Sequence, residues 1–244
     1  MNLSWIRVRA VIGKELRDLR RNRFTVVTMA VTPLVFIILP SIQIFAVQAR
    51  IPSARLDVRI GLSLLYLLII PAFVPSAVAA YSVVGEREQG TLEPVLTTPV
   101  RPQEFLVGKA LAALLPTVAI AYAMFGIFLA AAALFAYPGV AAAIFASSHV
   151  LVQLLFTPLL AGWSIWAGIA ISTRSTDVRA AQQLGVLASL PPLAVAALLT
   201  FGVITPSLGL ALGCAAGLLV VDGLGWRAVA AMFDRERLVT GSPG

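Results

Sequence analysis

The chain has 244 residues, of which 59% are hydrophobic and 12% charged, and its mean hydropathy is +0.95. A soluble domain carries about 25% charged residues, so a water-exposed surface of ordinary polarity is excluded, and so is a disordered chain, which needs the opposite bias. The net charge of +7 is what basic loops on one face of a membrane produce, and no nucleic-acid partner is expected from it. The composition predicts an all-α integral membrane protein with several spans, surrounded by lipid.

The first element is predicted over residues 1–23. Trp5, Val8, Ile12, Leu16 and Leu19 recur at steps of three and four, while Arg7, Lys14, Arg17 and Arg21 point elsewhere. That is an amphipathic helix with a basic face, suited to the membrane interface. It is charged throughout and no small-residue cleavage site follows a short apolar core, so it is not read as a cleavable signal peptide.

Uncharged runs then define six spans, each about the length a bilayer needs. The first two are 24–49 and 60–85. The run from Ala110 to Thr173 is too long for one helix and divides at Tyr137-Pro138-Gly139, a turn signal, into 110–136 and 150–172. The run from Ala180 to Val221 divides near Thr205-Pro206-Ser207 into 184–204 and 208–228. Prolines inside the spans (Pro33, Pro40, Pro71, Pro75, Pro116, Pro158, Pro191, Pro192) predict kinks that neighbouring helices must accommodate. Small residues at Ala130–Ala133 and Ala211–Gly217 permit close helix approach, within the chain or against another.

An even span count puts both termini on one side. Of the 18 basic residues, 15 lie on that side and only Arg50, Arg55 and Arg59 on the other. The basic side is therefore predicted to be cytoplasmic, with both termini there.

The segment between spans two and three, 86–109, is long for a helix hairpin. It holds Glu86, Glu88, Glu93 and Glu104, four of the 11 acidic residues. A short amphipathic piece from Thr91 to Leu96 is bracketed by Gly90 and Pro99. Pro102 can open the next helix, with Glu104 near its positive end. On physical grounds this is equally a handle for a soluble partner or a solvated connection.

The run Gly85-Glu86-Arg87-Glu88-Gln89-Gly90-Thr91-Leu92-Glu93, followed by Leu96, Pro99 and then Gly108-Lys109, resembles the cytoplasmic motif of ABC-type-2 exporter permeases. Gly13-Lys14-Glu15-Leu16-Arg17 with Arg21-Asn22-Arg23 resembles that family's N-terminal elbow helix. The six-span layout also fits, so the resemblance covers essentially the whole chain as one transmembrane domain. It implies a non-catalytic permease subunit of an ATP-driven exporter in the cytoplasmic (inner) membrane. Two cytoplasmic ATP-binding subunits would power a pore made by this chain and a second permease chain, same or sister. Glu86, Arg87, Glu88, Gly90, Thr91, Leu92, Glu93, Leu96 and Pro99 would form the coupling helix seated on the ATPase. Charge reversal at Glu86, Glu88 or Glu93 is then expected to uncouple transport without unfolding the spans. The external connections, only 50–59 and the short link between spans five and six, are smaller than in some members.

No cofactor is expected on this chain. A phosphate-binding loop needs G-x-x-x-x-G-K-[ST], but Gly13-Lys14 and Gly108-Lys109 are followed by Glu15 and Ala110. ATP and Mg²⁺ are therefore assigned to the partner. One Cys (Cys214) permits no intrachain disulfide, and with one His (His149) it leaves almost no material for a metal site. Ser147, Ser148 and His149 lack an orienting carboxylate, so no hydrolase is assembled. His149 is expected as a solvated loop residue, with a proton-linked role as the alternative.

Asp222 lies about 21 Å into the last span, counted from Leu208. It is either an intramembrane functional acid or a headgroup-zone residue near Trp226 and Arg227. Trp163 and Trp166 on span four either line a pathway or pack. Apolar spans with few aromatics favour a hydrophobic or amphipathic substrate (a drug, natural product or lipid) over a sugar. The rival readings are a stand-alone channel or ion-coupled carrier, and a structural membrane subunit.

Overall fold

The computed structural model describes residues 4–21, 23–47, 53–88, 90, 100–200 and 208–232, and among them every regular element is a helix. In chain order these are α1 (Trp5–Arg21), α2 (Arg23–Phe45), α3 (Ser53–Glu88), α4 (Pro102–Phe135), α5 (Pro138–Ala146), α6 (Ser148–Arg174), α7 (Val178–Ala188), α8 (Leu190–Thr200) and α9 (Leu208–Met232).

Among the described residues, five stretches of helix are long and apolar enough to cross a membrane: Arg55–Ser76, Pro102–Phe135, Ser148–Arg174, Val178–Leu199 and Gly209–Met232. The first predicted span corresponds to a shorter apolar stretch, Met29–Phe45, about 26 Å at helical rise.

Several boundaries differ from the predicted ones for local reasons. α3 does not stop at the end of its apolar run. No helix breaker follows until Gly90, which adopts φ +66, the left-handed conformation that ends helices. Gly85 to Glu88 therefore form the last turn of α3, and Pro102 to Lys109 form the first two turns of α4, so residues 86–109 are not one connecting unit. Pro102 occupies the first turn of α4, where its missing N–H costs nothing, and Glu104 reaches back to accept from the Arg101 N–H at 3.0 Å.

Pro138 likewise opens a nine-residue helix, α5, where a loop was expected after the turn. The predicted fifth span is built from two helices meeting at Ser189. Pro191 and Pro192 sit in the first turn of α8 and cannot donate back into α7. Ser189 Oγ bonds the Gly185 carbonyl at 3.1 Å and Ser164 Oγ at 3.0 Å, which satisfies the hydroxyl at the break. Asp177 caps α7 through the Ala180 N–H at 2.9 Å.

α3 and α6 form the central pair. Lipid is as apolar as a leucine, so packing and interhelical hydrogen bonds must drive association here. Small and hydroxyl residues are buried on both helices: Ala161, Ser164, Gly168 and Ser172 on α6 and Ser76 on α3. Ser172 Oγ accepts from Val83 N (3.1 Å) and Val84 N (3.0 Å), tying α6 to α3. Among the described residues the core falls into three main clusters. Ile60, Leu64, Phe125, Phe128 and Ile144 pack where α2–α5 meet. Leu68, Phe156, Leu160, Ala196 and Ala215 join α3, α6, α8 and α9. Val11, Val83, Phe105, Leu106, Ile165 and Val229 join α1 to the charged ends of α3, α4, α6 and α9.

Candidate functional site

The charged end of the bundle is organised by α1 lying against α4. The approach is backbone-close at Gly108, where a Cβ would stand 2.5 Å from Val11 Cγ1. Only glycine fits there without moving α1. Val8 and Val11, on the inner face of α1, are buried in the contact.

Two ion clusters flank it. At the start of α4, Glu104 is fully buried and accepts four hydrogen bonds. Two come from the Arg7 guanidinium, at 2.7 and 2.8 Å, one from Ser4 N at 2.9 Å and one from Arg101 N at 3.0 Å. The forked geometry suits arginine, and bonds to a charged carboxylate are the strong kind. Its carboxylate raises the Arg7 pKa, against the opposing effect of burial.

One turn further, Glu86 at the end of α3 is 7% exposed. Its Oε1 lies 2.8 Å from Lys14 Nζ and 2.9 Å from Lys109 Nζ. Lys109 also contacts Glu15 at 3.0 Å and lies over the Phe105 ring at 4.9 Å. Lys14 reaches Glu15 at 3.2 Å and Asp18 at 3.6 Å. Burial alone would lower the Lys14 pKa, but its bond to Glu86 and the charges of Glu15 and Glu86 outweigh it and raise the pKa. Three helices, α1, α3 and α4, are thus clasped through alternating charges.

Among the predicted coupling residues, Glu86 turns inward into this clasp. Arg87 and Glu88 turn to the connection between α6 and α7. Arg87 donates to the Thr173 and Ser175 carbonyls, each at 3.5 Å, and Glu88 accepts from Val178 N at 3.3 Å. Gly90 is exposed at the end of the helix. Thr91, Leu92, Glu93, Leu96 and Pro99 lie outside the described residues. Spacing along the chain pairs none of Arg7, Lys14, Glu15 and Lys109 with a partner and gives Glu104 only a helix-end role. The available signal was that ionic groups flanking apolar helices need partners.

Inside the spans, the three predicted residues do meet. Trp166 Nε1 donates to Asp222 Oδ1 at 3.0 Å, joining α6 to α9. Trp163 packs on Trp166 edge-on, with ring centroids 4.8 Å apart and planes at 66°, and its Nε1 donates to the Ala188 carbonyl at 2.7 Å. Two glycines shape the contact. A Cβ at Gly225 would stand 2.5 Å from the Trp166 indole, and one at Gly162 would stand 3.2 Å from Asp222 Oδ2.

His149 corrects its expected solvated place. It lies in the first turn of α6, only 6% exposed, with Nε2 3.7 Å from Asp57 Oδ1. Among the described residues no group of side chains could hold a metal ion.

Compared with known families, residues 9–200 match the family described as ABC-2 family transporter protein. Comparison with curated proteins returns no match.

Proposed function

The chain belongs to the ABC-2 family of transporter proteins, and from that premise we propose that it is the permease half of an ATP-driven exporter. It forms the pathway for a hydrophobic or amphipathic substrate. In this reading Met29–Phe45 is the first span and brings the total to six, the basic end faces the cytoplasm with both termini, and the membrane is the cytoplasmic one. Two ATP-binding subunits, holding ATP and Mg²⁺, dock on the basic end. A second permease chain, same or sister, completes the pathway.

One observation carries the reading. The family-like motif begins on the last turn of α3 and ends at Gly108-Lys109 on α4, and Glu86 and Lys109 from its two ends meet on Lys14 and Glu15 of α1. A push on the segment between Glu88 and Pro102 is therefore delivered to α1, α3 and α4 together. α3 passes it to α6, its most extensive neighbour. In this mechanism Glu86 and Lys109 hold the two ends of the coupling segment in place, while Glu88 and Gly90, with Thr91, Leu92, Glu93, Leu96 and Pro99, are the residues that engage the ATPase. Closure of the ATPase on nucleotide moves the segment. The spans then rearrange as rigid pieces.

The test is capture of the tagged chain from its native membrane in mild detergent, with partners identified by mass. A stoichiometric soluble subunit carrying a phosphate-binding G-x-x-x-x-G-K-[ST] loop is expected. An intact, folded chain that brings down no such subunit overturns the proposal and moves the reading to a stand-alone carrier, for which Asp222 is the supporting residue.

A further inference from the structure

We propose that Asp222, Trp166 and Trp163 form a binding site for a lipophilic organic cation. The inference rests on the export reading and names the charge of its substrate.

The site is built from both sides. Asp222 sits on α9 among Leu219, Val220, Val221 and Leu224, about 21 Å along the helix from Leu208, at a depth where a carboxylate is costly. No ion pair to Asp222 forms among the described residues, and its one hydrogen bond there is the neutral indole N–H of Trp166. That bond engages Oδ1 and aims the other oxygen, Oδ2, at Gly162, where the absence of a Cβ leaves it room. The carboxylate is half-buried, so it is anchored and still reachable.

The aromatic side is equally arranged. Both tryptophan N–H groups are engaged, one by Asp222 and one by the Ala188 carbonyl. What the rings have left to offer a ligand is the π surface that α9 does not cover at Gly225. Gly225 lets the Trp166 indole lie directly on α9 beside the carboxylate. A fixed anionic oxygen next to indole rings is the chemistry that recognises a desolvated cation, with tryptophan the best aromatic for it. Both faces of the ligand are satisfied, since charge meets carboxylate and apolar groups meet the spans. A neutral or anionic amphiphile gains nothing from Asp222.

The alternative is a clamp that only holds α6 to α9, and the two are separable. Asp222→Asn retains an oxygen that accepts from Trp166, so the clamp survives while the charge is lost. The experiment measures binding of tetraphenylphosphonium, a permanent cation, to the purified full chain in detergent by tryptophan fluorescence, with triphenylphosphine oxide as the neutral aromatic control. The expected result is at least about tenfold weaker cation binding by Asp222→Asn, equivalent to about 1.4 kcal/mol. Asp222→Glu should stay near the parent, and neither variant should change the control. Trp163→Leu is expected to weaken the cation several-fold as a second, independent reading. Equal cation binding by parent and Asp222→Asn, or equal loss for cation and control, overturns the proposal. Because binding is read on the isolated permease, its failure leaves the ATPase capture untouched, and failure of that capture leaves this binding measurable.

Discussion

Replacing Lys109 by methionine isolates the charge of the clasp, because methionine keeps an unbranched stem over Phe105 and favours aromatic contact. Lys109 is 6% exposed and holds Glu86 at 2.9 Å and Glu15 at 3.0 Å. The cluster of Lys14, Lys109, Glu15, Asp18 and Glu86 then passes from one excess negative charge to two. Removing one member of a buried pair typically costs about 3–5 kcal/mol. Here Lys14 remains 2.8 Å from Glu86 and is 40% exposed, so it can swing and hydration can share the charge. The expected loss is therefore about 2 kcal/mol, or a fall in melting temperature of about 4–8 °C for a chain this size. The assay is thermal unfolding of the purified protein in one detergent, followed by tryptophan fluorescence. Glu86→Gln alone should cost less, since Lys109 keeps Glu15. The double variant should be more stable than the sum of the two losses predicts, with a coupling of about 1–2 kcal/mol. A Lys109→Met protein that melts within about 1 °C of the parent, or a double variant that is simply additive, would refute the clasp as an energetic unit.

Glu88→Lys should leave the melting temperature within about 1 °C, since Glu88 is exposed and makes one long bond to Val178 N. Its expected effect is to lower transport-coupled ATP hydrolysis in the assembled complex, whereas Glu86→Lys should lower the melting temperature as well. Gly108→Ala forces a Cβ to within 2.5 Å of Val11 and is expected to cost about 1–3 kcal/mol. Val11→Ala should rescue part of that loss in a thermal melt of the double variant. Gly225→Ala drives a methyl into the Trp166 ring, so a shifted tryptophan emission spectrum is expected, and Gly223→Ala on the same helix, where a Cβ meets nothing within 4 Å, should not produce it.

Charge reversal at Glu86 shows how the structure changes an expectation. From the motif alone, Glu86, Glu88 and Glu93 stand as equivalent acids facing a partner. In the structure Glu86 is internal and Glu88 is not, because α3 continues through both and successive residues on a helix point about 100° apart. The same periodicity sets Trp163 and Trp166 near one another on α6, and the packing of α9 against α6 brings Asp222 to Trp166, a meeting that spacing could only nominate.

Apolar run lengths and the shortage of charge determined that the chain is helical and membrane-embedded, and the ordered motif from Gly85 to Lys109 was enough to name the family it resembles. These are properties that each residue or short run carries on its own, since hydropathy needs no partner. Which charges pair, and which helix ends are lashed together, was decided only by the tertiary structure. Glu86 and Lys14 are 72 residues apart, and Arg7 and Glu104 are 97 apart. Their meeting depends on how α1 rolls onto α4, which the contact at Gly108 allows. The break at Ser189, the extension of α3 and the burial of His149 depend likewise on neighbours that supply or withhold hydrogen bonds.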